Sequence, residues 1–381
     1  MAEPAVPDRP TPSAVVSAPA QGFPLEGLRK DLERNALRLR NGLKWAAGAE
    51  FAPAAPTPSD EVWSDGRVQV RRYRRSSPAR YRTPLLTFVG LVGRSYVFDL
   101  WKGNSVVALQ MEHGMDAFVL DWGVPDELDA TDTLETYLER YLPRAIRAVL
   151  AETGAHEVNL MTYCMGGCMA LHALAAQPDL PVRSLVTVAT PVDFRGLGPL
   201  IDALRTGDIK PDDVLDSTGN LPGSVVRESF KSRKPTGDLV NYANLWQNLW
   251  SDEYLEGHQA IGRWLHDHIP LPGALFKQVV PMWLQNNGFL NDSLRLGGRP
   301  ASLRNITIPV LAVLAMRDDI AVESTTTPMA DILTGTTVDL LKVDAGHASL
   351  FSGRKAAKVV MPQVFEWIAR HSEEYSSHAA S

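Results

Sequence analysis

The chain has 381 residues, of which 45% are hydrophobic and 22% charged, with a formal net charge of −6 at pH 7. This balance is typical of a globular protein, and without a basic excess it does not favour nucleic-acid binding. The two cysteines, Cys164 and Cys168, are too few for a disulfide framework, and no uncharged run approaches the roughly 20 residues of a transmembrane helix. We find no basic stretch followed by an apolar core near the start, so we expect no secretory signal and a cytoplasmic protein.

Residues 1–55 divide into two parts. Residues 1–21 are rich in Pro, Ala and Ser, and we expect them to be disordered. From Phe23 to Ala47, apolar residues recur at steps of three and four, which predicts an amphipathic helix. The apolar positions of that helix are Leu25, Leu28, Leu32, Ala36, Leu39 and Leu43. This face either packs on its own domain or provides a docking surface for a partner or an apolar particle, and the pattern leaves both open.

Residues 56–194 alternate between strand and helix patterns. The predicted strands are a hairpin within Val62–Tyr73, then Leu85–Val89, Asp116–Leu120, the run that begins at Val158, and Leu185–Ala189. The predicted helices are Ser105–His113, Leu134–Thr153 and Gly166–Gln177. Strands that alternate with helices at this spacing predict an α/β fold, with a mostly parallel sheet covered by helices on both faces.

Residues 195–303 interrupt this rhythm. They lack clear strand patterns and are rich in Trp, Asn, Pro and Gly, so we expect a mainly helical cap inserted over the sheet. The strand pattern resumes at Ile308–Leu314 and Val338–Val343, and a closing helix follows at Met361–His371. Residues 304–381 therefore complete the core that residues 56–194 begin.

The stretch Thr162–Gly167 (Thr-Tyr-Cys-Met-Gly-Gly) joins a predicted strand to a predicted helix. A strand, a sharp turn and a helix form the context of a nucleophile elbow, and Cys164 stands at the position of the nucleophile. The glycines leave room for the close backbone contacts of such a turn. The turn places the N–H of Met165 and the helix N-terminus beside the thiol, which favours negative charge there. A buried structural cysteine is the alternative interpretation.

Two later strand ends supply partners for this thiol. In α/β-hydrolase folds the order along the chain is nucleophile, acid and histidine. The strand ending near Leu314 leads to Asp318 and Asp319, of which we take Asp319 as the first choice of acid and Asp318 as the second. The last strand leads to His347, which follows a glycine at the position of the base. A Cys–His pair of this kind produces a thiolate that attacks an acyl carbonyl.

Two backbone N–H groups are predicted to form an oxyanion hole. One belongs to Met165, and the other to Val92 or a neighbour in the loop after Leu85–Val89. A thiol in place of the usual serine indicates thioester chemistry, because an acyl group exchanges between two thiols at little cost in free energy.

At this point the motifs resemble those of the poly(3-hydroxyalkanoate) synthases, closest to the short catalytic subunits that work with a second subunit. The G-x-C-x-G-G box of that family is matched by Thr162–Gly167. Other similar stretches are Pro56–Asp60, Tyr96–Leu100, Leu120–Gly123, Thr190–Phe194, Gly297–Arg299 and Gly346–His347. The resemblance therefore extends from about residue 56 to residue 372.

The resemblance implies that Cys164 carries the acyl group, with Asp319 as acid and His347 as base. It implies 3-hydroxyacyl-CoA as substrate, polyester and free CoA as products, a cap that gates a buried site, and homodimers. CoA is part of the substrate, and we expect no separate cofactor and no metal. A second synthase subunit and the surface of polyester granules are the expected partners. The sequence departs from the family in having Thr162 where the family has Gly, and Ile320 after Asp319 where the family has His.

Two other functions stay open on the sequence alone. One is hydrolysis on the same fold, by a thioesterase or an intracellular polyester depolymerase. The other is a non-catalytic subunit that binds a partner synthase or coats granules. The acyl chain length and the need for a second subunit cannot be derived, because cap side chains that set the pocket cannot be placed from the pattern.

Overall fold

The computed structural model describes residues 25–233 and 237–375. The disorder expected for residues 1–21 concerns residues outside these ranges. The centre of the molecule is an eight-stranded sheet. Its strands are β1 (Ser59–Asp65), β2 (Val68–Tyr73), β3 (Leu85–Val89), β4 (Ala117–Asp121), β5 (Val158–Tyr163), β6 (Val182–Val188), β7 (Val310–Ala315) and β8 (Val338–Val343).

The strands lie in the order β1-β2-β4-β3-β5-β6-β7-β8. The pairs β1–β2 and β2–β4 are antiparallel, and every other neighbouring pair is parallel. The predicted α/β class with a mostly parallel sheet is thereby confirmed. Because parallel strands end at the same edge, β3, β5, β7 and β8 deliver their following loops to one place.

Helices cover the sheet and form the segment between β6 and β7. They are α1 (Leu25–Ala46), α2 (Val106–Glu112), α3 (Leu142–Thr153), α4 (Met165–Ala176), α5 (Pro199–Thr206), α6 (Gly223–Lys231), α7 (Gly237–Asn248), α8 (Asp252–His266), α9 (Gly273–Val279), α10 (Glu323–Thr326), α11 (Met329–Ile332), α12 (Gly353–Lys355) and α13 (Met361–Arg370). Helical turns of π type are found at Thr136–Tyr141, Val280–Gln285 and Ala356–Val360. No helix within the described ranges is both long and apolar enough to cross a bilayer.

Both faces of the sheet are buried at its central strands because successive side chains of those strands enter different cores. In β3, Leu86 and Phe88 pack into one core, while Leu85 and Val89 pack into the other. Residues of α3 and α4 complete the first core, and residues of α2 and α13 complete the second. This alternation explains why central strands such as β3 and β7 have continuous apolar sequences rather than a polar–apolar pattern.

The segment between β6 and β7 is mostly helical, as expected for a cap. It contains α5 to α9 and two short antiparallel ribbons, Asn220–Leu221 with Leu271–Pro272 and Arg295–Leu296 with Arg299–Pro300. A third ribbon, Asp99–Trp101 with Asn104–Ser105, lies between β3 and β4 in the chain. The domain boundaries at residues 55, 194 and 303 stay predictions.

The apolar stripe of α1 faces away from the protein body. Four leucines of the predicted stripe are 60–68% exposed, namely Leu28, Leu32, Leu39 and Leu43. The opposite face of α1 is the one that docks. The side-chain amide of Asn41 donates to the carbonyl of Leu249 and to Asp252, each at 2.9 Å. Of the two alternatives left open by the sequence, packing on its own domain is therefore wrong for these four leucines, which we call the leucine stripe.

Candidate active site

Cys164 occupies the tight turn between β5 and α4. Its backbone has φ 53° and ψ −124°, a conformation that costs a residue with a Cβ on the order of 1–3 kcal/mol. Hydrogen bonds hold the turn in this shape. The Cys164 N–H donates to the carbonyl of Val188 at 2.8 Å, and the Cys164 carbonyl accepts the N–H of Gly167 at 2.9 Å. The half-buried Cys164 side chain therefore stands at the carboxyl edge of the sheet, beside the N-terminus of α4.

Glycines allow α4 to pass close to the loop after β3. A Cβ added to Gly90 would lie 2.5 Å from the Cβ of Met165, closer than real Cβ contacts allow. A Cβ added to Gly166 would lie 3.0 Å from the carbonyl carbon of Val89, and one on Gly167 would overlap the side chain of Thr190. The structure thus confirms the reason given for the glycines of the elbow.

Thr162 is accommodated where the resembling family has glycine. It lies in β5 with its side chain fully buried, and its hydroxyl donates to the carbonyl of Val186 on the neighbouring strand at 3.0 Å. The additional Cβ therefore leaves the turn at Cys164 intact.

His347 follows β8 and is held by an aspartate. Its Nδ1 lies 2.7 Å from Oδ2 of Asp318. The other oxygen of Asp318 accepts the N–H groups of Ile320 and Ala321 at 2.8 and 2.9 Å. Asp318 has a fully buried side chain, so these hydrogen bonds fix both the carboxylate and the imidazole in place.

This geometry corrects the first choice of acid, Asp319. The loop after β7 turns between Ala315 and Asp318, whose N–H donates to the Ala315 carbonyl at 3.1 Å. That turn points the Asp318 side chain inward to His347, whereas the next residue, Asp319, is half-buried. The residue that follows the histidine-bound acid is therefore Asp319 rather than Ile320. The position where the resembling family has His after its Asp is thus occupied by Asp319 in this chain.

The surroundings of His347 favour its protonated form. Burial by itself would lower the pKa of His347, but hydrogen bonds and charge interactions with Asp318 and Cys164 outweigh it and raise the pKa to about 10. The imidazole therefore carries its proton at neutral pH and can pair with a thiolate at Cys164. Such an arrangement can act chemically as a thiol nucleophile with an oriented base.

A small cavity adjoins the thiol. Its volume is about 60 Å³, which is room for roughly four to six water molecules. The predicted residues Cys164, Met165, Val92 and His347 all line it, and so does Ile320. The structure therefore brings together every predicted site residue except Asp319.

The cap also contributes to this cavity. Four of its residues form part of the wall, namely Phe230, Trp264, Leu265 and His268. Tyr163 of β5 completes the wall on the sheet side. Tyr163 was not selected by the sequence analysis, although its position directly before Cys164 could have identified it as a residue of the site. Within the described ranges, no group of three His, Cys, Asp or Glu side chains could hold a metal ion.

The chain has recognisable relatives. A family model described as alpha/beta hydrolase fold matches residues 83–353. The poly(3-hydroxyalkanoate) polymerase subunit PhaC of Allochromatium vinosum is 31% identical over 87% of this chain and 94% of its own length. This chain belongs to the PhaC family. A second PhaC polymerase subunit, from Thiocystis violacea, is 29% identical over 88% of this chain and 94% of its own length.

One solved structure aligns with most of the chain at low similarity. Est1E from Butyrivibrio proteoclasticus aligns with this PhaC-family chain at a TM-score of 0.46 and 14% identity, covering 82% of this chain and 98% of its own. The assignment to the PhaC family depends on the sequence relatives and not on this alignment.

Proposed function

We propose that this PhaC-family chain polymerises (R)-3-hydroxyacyl groups from their CoA thioesters into polyester and releases CoA. One observation carries the proposal. A thiol at a nucleophile elbow contacts a buried histidine that an aspartate orients, in a chain whose relatives are named poly(3-hydroxyalkanoate) polymerase subunits. The catalytic roles that follow are assigned to Cys164, His347 and Asp318.

Acylation is the first half of the reaction. The Cys164 thiolate attacks the thioester carbonyl of the substrate, and the N–H groups of Met165 and Val92 stabilise the oxyanion. The carbon–sulfur bond to CoA then breaks, and the departing sulfur takes the proton of the His347 imidazolium. The products are acyl-Cys164, free CoA and a neutral imidazole, which Asp318 keeps in its orientation.

Chain extension is the second half. The neutral His347 takes the proton of a hydroxyl group at the end of another acyl unit, and that oxygen attacks the thioester of acyl-Cys164. An ester bond forms, and Cys164 leaves as a thiolate beside the imidazolium. Since no redox change occurs, the thiol, the imidazole and the backbone donors suffice, and we propose that no cofactor besides the CoA of the substrate is needed.

The test is product analysis with purified protein and (R)-3-hydroxybutyryl-CoA. We expect CoA release together with insoluble polyester. Free 3-hydroxybutyrate without polymer would contradict polymerisation and favour a thioesterase or depolymerase. CoA release only after addition of a second synthase subunit would indicate that the chain works as one subunit of a pair. Homodimerisation and the second subunit stay predictions of the family resemblance.

The exposed leucine stripe supports the proposal that this chain binds to the surface of polyester granules. Its leucines span about 22 Å from Leu28 to Leu43 along one side of α1. The docking face of α1, where Asn41 and Arg40 bind Asp252 and Trp45 packs against an apolar cluster, holds the stripe outward on the protein body. An amphipathic helix presented in this way binds an apolar surface through the area that it buries there. A polyester granule is such a surface.

Replacing two leucines of the stripe, in Leu32→Gln/Leu39→Gln, should weaken binding to polyester particles by about 10–100-fold. Each buried leucine contributes on the order of 1.5–3 kcal/mol, and partial burial on a particle yields a part of this. Co-sedimentation with amorphous polyester particles measures the bound fraction. A matched control is Lys30→Gln/Glu33→Gln, which changes two exposed residues of α1 outside the stripe. Equal losses in both double variants, or full binding by the leucine variant, would contradict the assignment.

A further inference from the structure

Tyr163 has a buried hydroxyl that no group of the described residues satisfies. The Tyr163 side chain lies within the protein interior, and its oxygen has no hydrogen-bond partner in the described part of the chain. The ring packs edge-on against Phe351, with centroids 4.6 Å apart, and at a tilt against His347, with centroids 5.0 Å apart. The Tyr163 ring is therefore held directly beside the proposed base, in the residue that precedes the nucleophile.

An unpaired buried hydroxyl lowers the stability of the folded state, so its presence here indicates a function. Phenylalanine would make the same ring contacts without burying an unpaired polar atom. Burial strongly raises the pKa of Tyr163, and the charges of Cys164 and Asp318 add to this effect. The hydroxyl therefore keeps its proton at neutral pH and remains a hydrogen-bond donor.

The other polar side chains of the cavity wall are already engaged with the protein. The indole N–H of Trp264 donates to the carbonyl of Arg94 at 2.9 Å. His268 Nδ1 lies 2.7 Å from the carbonyl of Leu265, and His347 is bound to Asp318. Among the residues that line the cavity, Tyr163 is the one with a fully buried side-chain polar atom that has no hydrogen-bond partner within the described ranges.

We propose that the Tyr163 hydroxyl binds the 3-hydroxyl of the acyl group carried by Cys164, and so selects 3-hydroxyacyl over plain acyl thioesters. The inference rests on the proposed polymerase function. A 3-hydroxyacyl group has one polar atom beyond its thioester carbonyl, and that atom needs a partner in an otherwise apolar wall.

The test compares acylation by (R)-3-hydroxybutyryl-CoA and by butyryl-CoA in the wild type and in Tyr163→Phe. The first release of CoA, measured in a single turnover, reports acylation alone. Both substrates can undergo this step. We expect the wild type to favour the hydroxylated substrate by about tenfold in the second-order rate constant of acylation, the usual effect of one hydrogen bond, and Tyr163→Phe to show little preference. The loss should come from the hydroxylated substrate, while the butyryl rate stays within about threefold.

Controls separate selectivity from damage to the fold. Tyr163→Phe should have a Tm equal to or above that of the wild type, because an unsatisfied group is removed. Tyr96→Phe removes a hydroxyl that binds Asp267, and since neither residue lines the cavity it should keep the wild-type preference. An unchanged preference in Tyr163→Phe, or equal losses with both substrates, would overturn the inference while leaving the polymerase function standing. Failure of the wild type to release CoA from either substrate would overturn both.

Discussion

Cys164→Ala should reduce CoA release from 3-hydroxyacyl-CoA to at least about 10⁴-fold below the wild-type rate. Without the sulfur no acyl-enzyme forms, and His347 and the backbone donors have no covalent intermediate to support. CoA release followed with a thiol reagent measures the rate, and intact-protein mass spectrometry measures the acyl adduct on Cys164. Both signals should disappear together.

The chain provides a matched control in its other cysteine. Cys168 lies one helical turn further along α4, is almost fully buried, and donates its thiol to the carbonyl of Pro191 at 3.2 Å. Burial, followed by the charge of Cys164, raises the pKa of Cys168, so this group stays a thiol. Cys168→Ala should retain the rate within about fivefold and lose about 1 kcal/mol of stability. Full activity in Cys164→Ala would refute the assigned nucleophile.

Asp318→Asn should lower the rate of CoA release by about 10³–10⁴-fold, whereas Asp319→Asn should cost less than about tenfold. Asparagine at position 318 can donate to His347 and favour the wrong tautomer, and it removes the charge that supports the imidazolium. The same assay on both single variants measures the difference. A reversed order of the two effects would restore Asp319 as the acid.

The pH dependence of the rate of CoA release tests the comparison of Asp318→Asn with Asp319→Asn in a second way. In the wild type the imidazolium persists until pH approaches the His347 pKa of about 10, so the alkaline decline in rate should lie in that region. Asp318→Asn should move the decline to lower pH, and Asp319→Asn should leave it in place.

The raised pKa of His347 also stabilises the folded state below about pH 6.5, and this contribution is lost as pH rises toward 10. Tm measured against pH should fall over that interval in the wild type and less in Asp318→Asn.

The sheet and the elbow could be predicted from sequence because local patterns determine them. Strands such as Leu85–Val89 are buried on both faces, and a short continuous apolar run is the signature of that environment. The elbow at Cys164 needs glycines at fixed positions, since backbone and side chains from β3 and Thr190 approach α4 too closely for a Cβ. These requirements act within a few residues, so the amino-acid pattern shows them directly.

Three features depend on contacts between distant segments, which no local sequence pattern shows. Asp318 and Asp319 are adjacent and stand together before the apolar run Ile320–Val322, and only the turn closed on Ala315 decides which carboxylate meets His347. The orientation of α1 depends on Asn41 reaching Asp252, a residue 211 positions away. The role of Tyr163 depends on which polar groups of the cavity wall are already paired. Each is decided by segments that are distant in the chain.

The leucine stripe has a practical consequence for handling the protein. Away from polyester, the exposed leucines of α1 face water or the stripe of another molecule, and exposed apolar patches of this kind promote association. Solubility during purification should therefore decline as the protein is concentrated, and a mild non-ionic detergent should restore it by covering the leucines. The docking face of α1 is already occupied, through the hydrogen bonds of Asn41 and the packing of Trp45 against Leu245, Leu249 and Leu255, so a mild detergent should leave the helix on the protein body.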